Sequence, residues 1–339
     1  MMRNMAVLAG MSLAAALACQ ARAPAADATT DLLQKKGLSR LGKTLWVLPL
    51  ELELRRKLAE LPKRREHLVS AEKDLEGLIE RNKQAWEESR PSVSALKQSL
   101  ARLSSADPQR ELIDRQITSL EARARDPKRL GSRGEVRPLI IEMARAQCEI
   151  LAAIAWVRET VPLLHDRYLQ LRDDAELAEA LHSHGNGRKL GPQRSYKADV
   201  ERLHEFEKLA ATTWLPTYQQ SGTTRFTALI NEQSAVTFSW IADREQPLVL
   251  TASTAEAIGI RPAADATRET ISIAPNREIV ATRVTLGYLR LGKWVMRGEV
   301  AYVLPPEAED VGNRLGRATL GGRRVRFEPE RLRMWLDES

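Results

Sequence analysis

Asp243 is the side chain best placed to do chemistry in this chain. It sits in a polar turn, Ala242-Asp243-Arg244-Glu245, between two apolar runs, residues 236–241 (VTFSWI) and 248–250 (LVL). A carboxylate at the end of a strand can act on a bound water when a second carboxylate shares a proton with it. One then serves as base and the other as acid. The turn offers a single Asp, so the pair would need one from each of two copies. Arg244 opposes proton sharing, because a guanidinium beside two carboxylates favours both being ionised. The other reading is an ordinary polar turn that joins two strands. Both stay open.

The remaining reactive residues give weaker patterns. His182 and His184 flank Ser183 in a Gly-rich loop, with no third metal ligand at regular spacing. Gly185-Asn186-Gly187 and Gly321-Gly322 are turns, since neither opens a helix after a strand as a phosphate loop does. Cys148 lies in an apolar helical stretch and reads as a buried, unpaired thiol. There is no Ser/His/Asp signature, no nucleic-acid module and no residue set that calls for a cofactor or a metal.

The elements that would position these residues fall into two classes. The chain has 339 residues, 43% hydrophobic and 29% charged, enough for two domains of ordinary globular composition. Its net charge of +7 is unevenly placed: from Ser221 onward 16 Arg and Lys face 15 Asp and Glu, so most of the excess lies in the N-terminal part. Acidic residues alternate with basic ones there. That pattern is a solvated helix face rather than a nucleic-acid or lipid footprint.

Residues 1–23 read as a signal peptide. Arg3 supplies a weak positive start, and residues 5–18 (MAVLAGMSLAAALA) an apolar core too short to span a bilayer. Two processing readings compete. Small residues at Ala21 and Ala23 suit ordinary signal peptidase. Ala16-Leu17-Ala18-Cys19 resembles a bacterial lipobox, with Cys19 as the lipidated residue. The segment predicts export, either to the periplasm or to a membrane anchor as a lipoprotein.

Residues 24–45 read as a tether, and 46–212 as a helical, partly coiled-coil region. Leu54, Leu58, Leu61, Leu68, Leu75, Ile79 and Trp86 recur at steps of three, four and seven, the heptad pattern of a coiled coil. Pro62 and Pro91 interrupt it, and Arg65, Glu72 and Asn82 weaken its seam. Asp107 and Pro108 open a further helix. Residues 139–164 are apolar on more than one face, as in the central helix of a bundle. Glu142, Arg145 and Glu149 exclude a membrane span there. After Trp214 short alternating stretches predict strands over 225–231, 235–241, 248–251, 270–273, 279–286, 295–304 and 323–327.

From about Thr224 to Leu336 the order of elements resembles that of retropepsin-like (retroviral-type) aspartic proteases. The hairpin FTALIN (226–231) and 235–241 comes first, then the Asp turn and the helix TAEAIGI (254–260) closing on Gly259. Residues 274–278 follow at the family's flap, and 284–304 supply its paired apolar strands. Residues 310–315 (DVGNRL) stand at its apolar-apolar-Gly motif, and RVRFEPERLRMWL closes the set. The resemblance implies an α+β chain with separate domains, the C-terminal one (222–339) a retropepsin-like closed β-barrel. It implies a homodimer, Asp243 as the catalytic carboxylate, and a peptide or protein as substrate or partner. The turn departs from the family's Asp-Thr/Ser-Gly: Arg244 replaces the hydroxyl residue and Glu245 the Gly. Counting back from Val249 and Leu250 places Ala242, not Asp243, at the catalytic position, and one residue turns a strand side chain to the other face. The expectation is a degenerate domain that binds or scaffolds in the cell envelope. The alternative is an active dimeric endopeptidase that uses Asp243 from each subunit to activate water.

Overall fold

A computed structural model describes residues 28–338, apart from 43, 125, 184–188, 193–195, 243–246, 264 and 275–276. The described chain opens with helix α1 (Ala28–Lys35) and strands β1 (Ser39–Leu41) and β2 (Leu45–Val47). Helices α2 (Pro49–Arg102), α3 (Gln109–Arg123), α4 (Val136–Arg172) and α5 (Ala175–Ser183) follow. Strand β3 (Lys189–Leu190) and helices α6 (Tyr196–Glu201) and α7 (Leu203–Ala210) complete the helical half. The C-terminal half is β-rich. It runs β4 (Trp214–Pro216), β5 (Tyr218–Gln220), β6 (Thr223–Ile230), β7 (Ser234–Ile241) and β8 (Leu248–Leu250), then the short helix α8 (Ala252–Ala257). Strands β9 (Arg268–Ala274), β10 (Arg277–Leu286), β11 (Leu289–Leu291), β12 (Trp294–Met296) and β13 (Glu299–Val303) come next. Strands β14 (Arg314–Gly316), β15 (Arg324–Glu328) and β16 (Arg333–Asp337) close the chain. The molecule is α+β, and none of the described helices is long and apolar enough to cross a membrane.

Two compact units form. One holds the described residues up to Arg56 together with Glu159–Tyr196; the other holds Lys57–Arg158 and Lys197–Ser339. In the first, Leu33, Leu38, Trp46 and Leu177 make a small core. Leu33 belongs to α1, so this part of residues 24–45 is packed helix rather than extended tether. A second anchor is polar. Glu51 is fully buried, and its carboxylate accepts from Tyr168 Oη at 2.6 Å and from Arg55 at 2.9 Å. The same Tyr168 oxygen accepts from the Leu48 N–H at 2.9 Å. A buried carboxylate is tolerated only when partners replace its lost water, and these do so.

In the second unit the leucines of the heptad pattern are used within the chain. Leu58, Leu61, Leu68 and Leu75 are buried, and α2 runs antiparallel to α4. Lys57 lies 4.8 Å from the Trp156 ring, Arg64 pairs with Glu149 at 3.2 Å, and His67 with Glu142 at 2.8 Å. Asn82, polar and buried in this seam, accepts from Arg133 at 2.9 Å. No coiled coil is seen among the described residues. Nor do the prolines interrupt: α2 is continuous for 54 residues. Pro62 and Pro91 are both exposed, so water can take up the carbonyls they orphan.

The main sheet has the order β12-β11-β6-β7-β14-β8-β13-β10-β9, with β5 beside β6. It is open, not the expected closed barrel: its ends, β12 and β9, are unpaired with each other. The chain uses β11 and β12 as a small hairpin at one end. It pairs β15 and β16 with β4 in a separate three-stranded sheet, so no strand is left to bridge the gap. One face carries the core, where Phe226 stacks on Phe238 at 6.2 Å among Leu248, Leu250, Leu289 and Leu315.

Two sites should test this packing. Gly292 has φ +57°, and a Cβ there would lie 2.2 Å from the Thr212 carbonyl oxygen. Gly292→Ala should therefore destabilise by more than about 2 kcal/mol in a denaturant titration. Glu207 accepts from Arg158 at 2.6 Å and from Arg290 at 3.1 Å, and the Arg290 side chain is only 7% exposed. Arg158, then Arg290, hold the Glu207 carboxyl below its usual range against the opposing effect of burial. A depressed folded pKa contributes stability above the unfolded value and loses it as pH falls through the folded one. Glu207→Gln should cost roughly 1–3 kcal/mol at neutral pH. The gap to wild type should close below about pH 4.3 in melts run as a pH series.

Candidate functional site: the frame around the turn after strand β7

Strand β7 alternates as the sequence demands: Val236 and Phe238 enter the core, while Thr237 and Ser239 face the other way. It ends at Ile241, and Ala242 is exposed. Asp243, the candidate carboxylate, lies outside the described residues with Arg244 and Glu245, as does Cys19. The frame that holds the turn is described in full.

Strand β14 passes between the two strands that carry the turn. It runs parallel to β7, with Arg314 opposite Ser239, Leu315 opposite Trp240 and Gly316 opposite Ile241. It also meets β8 antiparallel, Arg314 opposite Val249. The inserted strand is residues 314–316, which overlaps the end of the 310–315 run singled out in sequence. Gly312 makes the turn into it, at φ +69°, a backbone state that favours Gly.

Asn313 joins the parts. Its Oδ1 accepts from the Thr251 N–H at 2.9 Å. Its Nδ2 donates to the Thr254 hydroxyl at 3.0 Å and to the Thr237 carbonyl at 3.3 Å. Its own carbonyl accepts from the Ser239 N–H at 2.9 Å. One residue thus fixes β7, the end of β8 and the start of α8. Thr251 caps α8, its hydroxyl accepting from the Thr254 N–H at 3.2 Å.

The residues just before Asn313 extend this hub. Glu309 accepts from the Ser253 N–H and hydroxyl, both at 2.8 Å. Asp310 takes a two-pronged pair from Arg277 at 2.7 and 2.9 Å. Arg314 donates to the Ile273 carbonyl. The β9–β10 hairpin, read from sequence as the flap, is therefore held at its tip end by residues 310 and 314. The Ser253 N–H keeps the Glu309 carboxyl below its usual range, and Arg277 does the same for Asp310. Both are engaged acceptors, not acids poised to give a proton.

Other chemistry is not assembled. Among the described residues no group of three His, Cys, Asp or Glu could hold a metal ion. His184 lies outside them. Cys148 is buried, and burial pushes its thiol up to about 12, so it is no nucleophile near neutrality. Glu309, Asp310 and Asn313 were missed as positioning residues. The 310–315 run stands out in sequence for its apolar-apolar-Gly order, although a Gly-Asn pair before a strand also marks a turn with a side chain free to bond backbone.

No family model matches the chain, and no curated protein does. Among solved structures, it is similar to a retropepsin-like aspartic protease from Rickettsia conorii. The identity is 18% and the TM-score 0.29, over 36% of this chain and 87% of that one.

The frame makes a testable distinction. Asn313→Ala leaves the buried Thr251 N–H without its acceptor, and should cost about 1–3 kcal/mol. Asn313→Asp keeps that acceptor but turns an ionised oxygen toward the Thr237 carbonyl. Its folded pKa would be raised, so its stability should recover as pH falls below neutral. Asn313→Ala should show no such recovery in parallel pH-series melts.

Proposed function

We propose that this chain is an exported cell-envelope protein whose C-terminal half is a degenerate retropepsin-like domain, acting as a peptide- or protein-binding scaffold. The observation that carries the reading is the register at the turn. The paired part of β7 ends opposite Gly316 at Ile241, and the next residue, Ala242, has no ionisable side chain. Asp243 comes one step later, with Arg244 and Glu245 where the family has its hydroxyl residue and Gly. An Ala at the first position beyond the strand supplies no carboxylate to a dyad.

A second reading keeps the enzyme. The inserted strand, the Thr251 cap and the Asn313 bonds are all present, and a frame of this kind could hold Asp243 in a homodimer. The localisation, lipidation of Cys19 and homodimerisation belong to the proposal in either form.

Purified protein lacking the signal segment should not cleave a peptide library at any pH from about 3 to 7, the range in which a carboxylate dyad shares a proton. Cleavage that disappears in an Asp243→Ala variant would overturn the scaffold reading and establish the enzyme.

A further inference from the structure

We infer that a groove away from the turn, between α8 and the β9–β10 hairpin, is the peptide-docking surface of this domain. It takes a segment with an acidic residue at one end, branched apolar residues in the middle and a basic residue at the other. The inference deepens the binding-module reading above and rests on it.

The groove has a volume of about 770 Å³, within the usual range for a ligand site. Its floor is the core face of the main sheet, continued past its cover. Leu250, Val303, Thr282 and Arg268 lie opposite one another across four strands, β8, β13, β10 and β9. Partners across a sheet share a face. Exposure rises along the row: Leu250 is fully buried, Val303 buried, Thr282 half-buried and Arg268 exposed. Val280, two residues from Thr282 and on the same face, is 55% exposed. Val280 is not alone: half-buried Ile260 and Pro305 and exposed Pro262 and Pro306 line the same groove, and apolar residues gathered in this way mark a place for a partner.

The walls say what that partner is. On α8 the groove is lined by Ala252 and Ala255, whose short side chains let a second backbone approach. The charged residues are sorted by wall. Glu256 of α8 and Glu307 of the 306–311 turn line the side of the groove where Glu309 ties that turn to Ser253 of α8. Arg268 stands at the far end of the four-strand row, on β9 itself, and Arg261 on the segment that leads into that strand. None of these four charges has an ion-pair partner among the described residues. A segment that is acidic at one end and basic at the other meets both walls, whereas a uniformly charged one is repelled by one of them.

The test is enrichment from a pool of fluorescent heptapeptides with two central Val, Ile or Leu residues and end charges varied independently. Binding is then read by anisotropy. Wild-type protein should select peptides with opposite end charges. Val280→Asp, at an exposed position, should bind them about tenfold more weakly or worse with an unchanged melting temperature. Arg261→Glu with Arg268→Glu should shift selection to peptides with two basic ends. That switch of preference cannot come from misfolding. Selection unchanged in both variants would overturn the groove. If binding is instead lost in Asp243→Ala, the binding module stands and its site is the turn. Failure of the wild type to enrich any peptide overturns the groove and the binding module together.

Discussion

The C-terminal half depends on one constraint: a three-residue strand must be held between two others. Strand β14 is too short to stay there on its ladder bonds alone. Asn313, at its entrance, converts the insertion into a fixed joint by bonding three separate segments. Each bond is worth about 1 kcal/mol net, but the buried Thr251 N–H would cost more than that if left unmade. The joint therefore acts through the penalty for breaking it. Everything that would orient the turn after β7, and the α8 cap beside it, follows from that joint.

The same hub explains why the β9–β10 hairpin is not free. A long hairpin at the end of an open sheet has little to restrain it. Here Arg277 bonds Asp310, and Arg314 bonds the Ile273 carbonyl. The Arg277–Asp310 pair is exposed, so its geometry gives orientation more than energy. The Arg314 bond is partly buried and does more of the holding. The second cluster, of Val249, Ile271, Ile273, Leu304 and Val311, packs under this arrangement, and its apolar burial is the larger stabilising contribution.

The sequence made the α+β division legible, because period 3.6 gives way to period 2 near Trp214. The long strands β6, β7, β9 and β10 were legible for the same reason, within one or two residues at most ends. Most strands of three residues were not: β4, β5, β11 and β14 are too short for alternation to register, whereas β8 is legible at 248–251 as a short apolar run. The stretch 295–304 reads as one strand, yet Gly298 divides it into β12 and β13. Closure into a barrel was not legible either, since it depends on which edges meet, and no residue pattern encodes that alone. In the helical half the heptads located the buried seam correctly in α2. Its partner, α4 of the same chain, could not be read from a pattern that serves helices within a chain and between chains equally well.

The candidate site shows the same division. The sequence reading of the turn rests on three side-chain types, Asp243, Arg244 and Glu245, all outside the described residues. The supporting residues carry no periodic signal, because Asn313, Glu309 and Thr251 act through backbone groups distant in sequence. Those bonds would stabilise a turn with any side chain at 243. A frame built from backbone contacts is indifferent to whether the turn is catalytic. That is why the surroundings of the turn do not reveal its chemistry. It is also why the chemistry of this domain has to be decided at residues 242–245, and not from the fold that presents them.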